Sequence, residues 1–569
     1  MARGSATGEP ADWVTRAADD AIRHAGEGNL VTCASGISPS GPIHLGNLRE
    51  FLTVHFVAEE VRRRGVPVRH LPSWDVYDRF RKVPHGVDDS FSDHIGRPLS
   101  AVPDPWACHE SWAEHFKAPL RTALVELGCE MVEINQTQMY TAGAYREQIL
   151  EVVRRRQEIN EVLGRYRTKA QVAESEQEVA ALADSVALED ELPESGGADD
   201  PQGLARFPFK PYCRQCARDT TRITAYDDNT TDLSYQCLAC SFAGVTNLAT
   251  QNEGKLVWKI DWPMRWAYEK VDFEPAGADH SSPGSSFTVG HELVEKIWGW
   301  PRPSWFGYSF VGVAGMAKMS SSKGGVPTAV DALQILEAPI LRWLYVRRQP
   351  KQSFNIDFGP EVIRLYDEWD ALRKKAADPA RRDAQVLAFE RAATTSTAGT
   401  LPTPTVVAPF RALQSAADIT AGDLAQISRI IGELGYAHES AADLEPRLSR
   451  ALNWTNDYVP AQDRTIVRSA PDAVRLAGLS QREATWLSLL VSGFSGASDL
   501  AALTTLVYGV PKLALGLDID ADPPEQVKAD QKEFFTLLYN LLIGADRGPR
   551  LPTLLVSLGS AKVSSLLGR

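Results

Sequence analysis

One stretch limits the fold more than any other: "VTCASGISPSGPIHLGNLREF", Val31 to Phe51. A short apolar strand, read over residues 30–33, runs into a turn rich in glycine, serine and proline. A helix with an apolar stripe at Leu48, Leu52, Phe56 and Val61 follows, with Gly65 as its stop. A glycine-rich turn between a buried strand and a helix suits close approach of the backbone to a ligand. The free N–H groups of the next helix then favour phosphate. His44 and Asn47, three apart at the helix start, share one face, and each can donate to a phosphate oxygen. Alone, the pattern supports only a possible nucleotide site, because a histidine at a helix start is more often a surface or cap residue.

The rest of the first half continues the alternation. "VPVRHLPSWD" reads as a second strand, residues 111–128 and 143–166 as helices, and "KLVWKIDWPMRWAYEKV" and "PSWFGYSFVGV" as further βα units. Such alternation predicts an α/β fold of the Rossmann type, a doubly wound parallel sheet with functional residues after strand ends. Beyond about residue 360, Ala, Leu, Arg and Glu recur at helical spacing, which predicts an all-α part. The 569 residues are enough for about three or four domains.

The net charge of −13 looks unfavourable for a nucleic-acid partner until its location is considered. Ten acidic residues and no Lys or Arg fall between Glu174 and Asp200, a stretch read as a solvated loop, so the remaining chain is nearly neutral. No run of ~18 apolar residues appears and the N-terminus lacks the apolar core of a signal peptide, so a cytoplasmic protein without a membrane partner is expected.

Seven cysteines are unevenly spaced. Cys33, Cys108 and Cys129 stand alone and read as small buried apolar side chains. "CRQC" (Cys213, Cys216) and "CLAC" (Cys237, Cys240) are two knuckles of the kind that bring four thiolates to one tetrahedral zinc ion. A site whose four ligands are all Cys is closed, hence structural.

A second stretch changes the weight of the first. "VAGMAKMSSSKGGVPT", Val313 to Thr328, offers the charges of Lys318 and Lys323 and the hydroxyls of Ser320, Ser321 and Ser322 to phosphate. Its bland alternative is a solvated hinge. The pair HLGN and KMSSS resembles the two signature motifs of class I aminoacyl-tRNA synthetases. With "SWDVYDRFRKVP", "IGRPLSAVPDPW", "DWPMRWAYEKVDFEP" and "GADHSSPGSSFTVG", the chain resembles more specifically the class I lysyl-tRNA synthetases, closely over residues ~30–350.

The resemblance implies a lysine–tRNA ligase that uses ATP with Mg²⁺, L-lysine and tRNA(Lys), and acts as a monomer. It implies a catalytic part over residues 1–360, including an insertion at 165–255 with the zinc knuckles, and a helical anticodon-binding part over 361–569. His44, Gly46 and Asn47 would meet the ATP phosphates, with Lys318, Ser320, Ser321 and Lys323 closing over them. Lysine would lie among Gly36, Ser38, Trp258, Asp279, His280 and Tyr308. Asp75 and Asp78 are candidates for an ammonium, since a buried cation needs a carboxylate. Trp262 and Trp266, like Trp258, have core packing as their plain alternative. Two departures stand out: Ser321 replaces a lysine of KMSKS, and Asn47 replaces the second histidine of HIGH. The competing expectations are a small adenylyltransferase of the same superfamily, a synthetase-like protein turned to resistance or biosynthesis, and a non-enzymatic zinc-ribbon RNA-binding protein.

Overall fold

A computed structural model describes residues 12–173, 203–278, 280, 285–315, 325–494, 496, 500–520, 522 and 524–569. The acidic stretch from Glu174 to Asp200 lies outside them, as do Asp279, Lys318, Ser320, Ser321 and Lys323. Contacts divide the chain into two compact units. One takes the chain up to Ala332 with Leu341–Ile356 and Lys375–Leu401; the other takes Leu333–Ile340, Asp357–Lys374 and Pro402–Arg569.

The first unit opens with helix α1 (Trp13–Ala25), started by the Asp12 carboxylate, which accepts from the Thr15 N–H at 2.8 Å. Strand β1 (Val31–Ile37), helix α2 (Leu45–Arg63) and strand β2 (Val68–Trp74) form a parallel βαβ unit, in register from Val31–Val68 to Ile37–Trp74. Strand β3 (Ile134–Asn135) extends it beside Ser73 and Trp74. The apolar stripe read from the sequence is buried, but Phe51, Val54 and Val57 are buried too, so core wraps most of α2. Gly65 takes φ +75° just past the helix end, where a side chain would be strained.

On the other edge of β1 the backbone continues in parallel. The Asp272 and Phe273 N–H groups donate to the Thr32 carbonyl, and the Ser304 N–H donates to that of Asp272. Yet no regular ladder among the described residues exceeds three strands, fewer than the sheet expected from the sequence. Pro275, Pro301 and Pro303 lie in or beside these segments and bring no N–H, which breaks the ladder into bridges and short pairs.

Residues 213–247 form a meander of antiparallel strands β4 (Thr221–Tyr226), β5 (Asp232–Cys237) and β6 (Ala243–Asn247). Helix α3 (Trp258–Glu269) follows, then strand β7 (Ala276–Gly277), helix α4 (Ser286–Trp298), and strands β8 (Gly307–Tyr308) and β9 (Val311–Val313). β8 pairs in parallel with β7, and β9 with Phe354–Ile356.

Among the described residues, every regular element of the second unit is a helix. Helices Gln481–Phe494, Leu500–Ala514 and Glu525–Ile543 bury Trp486, Leu490, Val507, Phe534 and Leu538 in a shared core. Arg447, 1% exposed, is neutralised by Glu337 at 2.6 Å and Asp370 at 2.8 Å. No helix among the described residues is long and apolar enough to cross a membrane. The helical spacing read beyond residue 360 is interrupted here: one helix ends at Ala376 and the next spans Ala384–Ala393. Pro379 has no N–H to continue the first, and Asp383 caps the second.

Candidate active site

The turn after β1 delivers His44 to the N-cap of α2 in extended conformation. Its backbone N–H donates to Asn47 Oδ1 at 3.2 Å, which fixes the amide and leaves the Asn47 Nδ2 protons to offer. His44 Nδ1 is buried and has no hydrogen-bond partner among the described residues. Burial pushes the His44 ring down to about 4, so at neutral pH it is an uncharged imidazole with one ring N–H able to donate a hydrogen bond. Gly46 is required by that ring. A Cβ there would stand 2.8 Å from His44 Cε1 and 3.3 Å from the Val311 carbonyl oxygen. The α2 dipole favours an anion at the same end.

Both flanks of the lysine- and serine-rich stretch come to this helix start. β9 precedes the stretch and places Val311 against Gly46. After it, the Leu45 N–H donates to the Pro327 carbonyl at 3.1 Å, and His44 forms an antiparallel bridge with Thr328. The described residues on either side of the second motif, some 270 residues on in sequence, therefore lie at the helix start that carries the first.

Behind Gly36, at the end of β1, lies a buried ionic cluster on β2 and α3. Arg265 donates to Asp75 Oδ1 at 2.6 Å, to Ser73 Oγ at 2.9 Å and to Asp261. Its guanidinium lies 5.3 Å from the centre of the Trp258 ring, which stacks on Trp262 at 5.1 Å. The Trp258 Nε1 is buried with no partner among the described residues. Trp262 and Trp266 both donate their indole N–H to Glu274, and burial pushes that carboxyl up to about 7 against those two donors. His280 sits edge-on to Trp262 at 5.8 Å. Trp266, 1% exposed, is core.

Gly36, Asp75, Trp258 and His280 are thus linked through Arg265 and Trp262, two side chains the motif reading did not assign. Their only signal in the sequence is a charged residue four positions after Asp261 on a helix with three tryptophans at the same spacing. Tyr308 stands apart from that chain of contacts: its hydroxyl donates to Glu50, and it pairs in register with Gly277. Ser38 is half-buried beyond the end of β1. Asp78 does not await a substrate cation, because Lys255 Nζ holds its Oδ1 at 2.5 Å. Nor is Gly36 crowded by the protein: the nearest atoms to a Cβ there would be Asp75 Oδ2 and the Ser73 carbonyl oxygen, both at 3.9 Å.

The four knuckle thiols have metal-binding geometry. Cys213–Cys240 and Cys216–Cys237 Sγ pairs are 3.6 Å apart, and all four sulfurs lie within 4.8 Å of one another. Thiolates about 2.3 Å from a tetrahedral ion stand about 3.8 Å apart, whereas a disulfide needs about 2.05 Å. Both loops close identically, Ala217 donating to the Cys213 carbonyl and Ser241 to that of Cys237, each at positive φ. A second group could also hold a metal. Cys108 is exposed, not buried as expected, and its Sγ lies 3.1 to 3.2 Å from Asp104, His109 and His115. The short spacing "CHESWAEH" was its one signal.

The family model for class I (K) tRNA synthetases matches residues 11–397. A lysine–tRNA ligase of Streptomyces coelicolor is 51% identical over 98% of this chain and 98% of its own. Lysine–tRNA ligases of Thermococcus kodakarensis and Treponema pallidum are 33% and 30% identical, covering 96% and 98% of this chain and 97% and 98% of theirs. With the flanks of its second motif brought to the helix start that carries the first, and a family match over most of its length, the chain belongs to the class I (K) tRNA synthetases.

Proposed function

We propose that the chain is an ATP-dependent lysine–tRNA ligase that activates L-lysine to lysyl-adenylate and transfers lysine to tRNA(Lys). Similarity to a lysine–tRNA ligase over 98% of both chains carries this reading. The mechanism needs no protein nucleophile; it is positioning plus electrostatics. The lysine carboxylate attacks the α-phosphorus while His44 and Asn47 donate to phosphate oxygens. Lys318 neutralises the departing pyrophosphate, with Ser320, Ser321 and Lys323 beside it. Mg²⁺ accompanies ATP and neutralises part of its charge. Gly36, Ser38, Asp75, Trp258, Asp279, His280 and Tyr308 form the amino-acid pocket.

Residues 1–360 make up the catalytic part of this reading, with a zinc-ribbon insertion at 165–255 whose ion is held by Cys213, Cys216, Cys237 and Cys240. The helical residues from 361 onward bind the anticodon as single-stranded bases. The basic group Arg373, Lys374, Lys375, Arg381 and Arg382 is a weak candidate for that contact, since all but Lys374 have an acidic neighbour within 4 Å. The cytoplasm is the place of action that fits these substrates.

The test is ATP–pyrophosphate exchange with each amino acid in turn, with and without tRNA, followed by charging of tRNA(Lys). Exchange that depends on lysine, and charging with lysine, is the expected result. Exchange without charging would point instead to an adenylyltransferase or a repurposed relative, and RNA binding without exchange to a non-enzymatic protein.

A further inference from the structure

We propose that Arg265 is a specificity-determining residue of the amino-acid pocket: it occupies one oxygen of Asp75 and leaves the other to meet a single substrate ammonium. The inference rests on the pocket assigned above and explains how it would refuse the other long basic amino acid.

The cluster is largely satisfied from within. Lys255 holds Asp78 Oδ1, and Tyr140 and Arg265 hold the two oxygens of Asp261. Arg265 also takes Asp75 Oδ1, while Asp75 Oδ2 faces Gly36, the one residue at this strand end without a side chain to fill the space. A primary ammonium is a compact charge that one carboxylate oxygen can serve. A guanidinium is a planar fork that binds a carboxylate best through both oxygens at once. With Oδ1 already engaged by a fork fixed at two other points, Asp75 can serve the first and not the second. An arginine substrate would also bring its own cation towards that of Arg265, with the like-charge cost undiminished by a second free oxygen. The Trp258 ring, held under Arg265 and stacked on Trp262, gives an apolar wall for a four-carbon stem.

Lysine-dependent ATP–pyrophosphate exchange, with tRNA present, is measured for the full chain and for Arg265→Gln, Arg265→Lys and Asp75→Asn. Arginine, norleucine and 6-aminohexanoate serve as competitors. Arg265→Gln frees Oδ1, so the preference for lysine over arginine should fall on the order of tenfold, with inhibition by norleucine unchanged. Arg265→Lys guards against a folding failure: it keeps the charge and loses the fork, and should relax the same preference. Asp75→Asn should weaken lysine and 6-aminohexanoate together, on the order of tenfold, and spare norleucine. Parallel losses for lysine and norleucine would overturn the proposal, because Asp75 would then serve the α-ammonium or the fold. An unchanged lysine-to-arginine preference in both Arg265 variants would overturn it as well. Absence of lysine-dependent exchange in the unmodified chain would instead remove the ligase reading itself.

Discussion

His44 combines a chemical requirement with a packing one. Its ring is neutral, lies against Gly46, and keeps a buried nitrogen without a partner among the described residues. His44→Ala should lower the rate of lysine activation on the order of 10²–10³-fold with little change in the KM for ATP, if the donor acts on charge that develops in the transition state. Gly46→Ala leaves the histidine in place but puts a methyl 2.8 Å from its ring, so it should lose activation while the helix melts no lower. Pre-steady-state adenylate formation beside thermal melting checks both; full activity in either variant would reduce the HLGN stretch to a helix start. Glu274 gives a pH prediction. The unfolded chain releases this proton near 4.5 and the folded one near 7, so between these values the native state holds the extra proton. Stability should therefore fall as pH rises through that window, by at most about 3 kcal/mol, and Glu274→Gln should flatten the trend. Urea unfolding at the two ends of the window measures it.

At the scale of elements, the cysteine meander stands out because its three strands enclose little apolar core of their own. The cluster there is Cys213, Tyr235 and Cys237, with Ile223 and Phe242 packed against it. A bound ion would therefore supply folding free energy that burial does not. Metal analysis of protein purified without chelator should give one zinc per chain from these four thiols. Cys237→Ser should loosen β4 to β6 to hydrogen exchange and reduce charging of tRNA more than adenylate formation. Native exchange protection in that variant would count against a structural metal. The proposed amino-acid pocket draws differently on one face of α3. Asp261 and Arg265 are four apart on that face, and Trp258, Trp262 and Trp266 follow the same spacing, so a single helix carries both the charges and the aromatic wall.

Across the whole molecule, chain order and packing order part company. Helix Ala384–Ala393 belongs to the first unit, where Arg391 bonds Asp12 at 2.9 Å and Glu60 at 2.7 Å. Burial works against ionisation of Glu60, yet Arg63, Arg391 and Arg64 hold its carboxyl down to about 2. That contribution is complete above the usual carboxylate range and is lost as pH falls from about 4.5 towards 2. A chain ending at Arg364 lacks Arg391 and should melt lower than one ending at Leu401. Arg391→Ala in the full chain should cost about 2 kcal/mol. Equal melting of the two truncated chains would show that the cluster contributes nothing. Neither should charge tRNA as the full chain does, if the helical part binds the anticodon.

Local order was legible in the residues themselves. The turn after β1, the stripe of α2, the two CxxC knuckles and the helical character of the second unit each follow from spacing within a few residues. Such spacing decides which backbone hydrogen bonds and which apolar face a segment can form. Partners across the chain were not legible. Lys255 on Asp78, Arg265 on Asp75, and Thr328 on His44 all depend on which segments the fold brings together. A buried charge takes whichever opposite charge the packing presents, and no spacing along the chain encodes that choice.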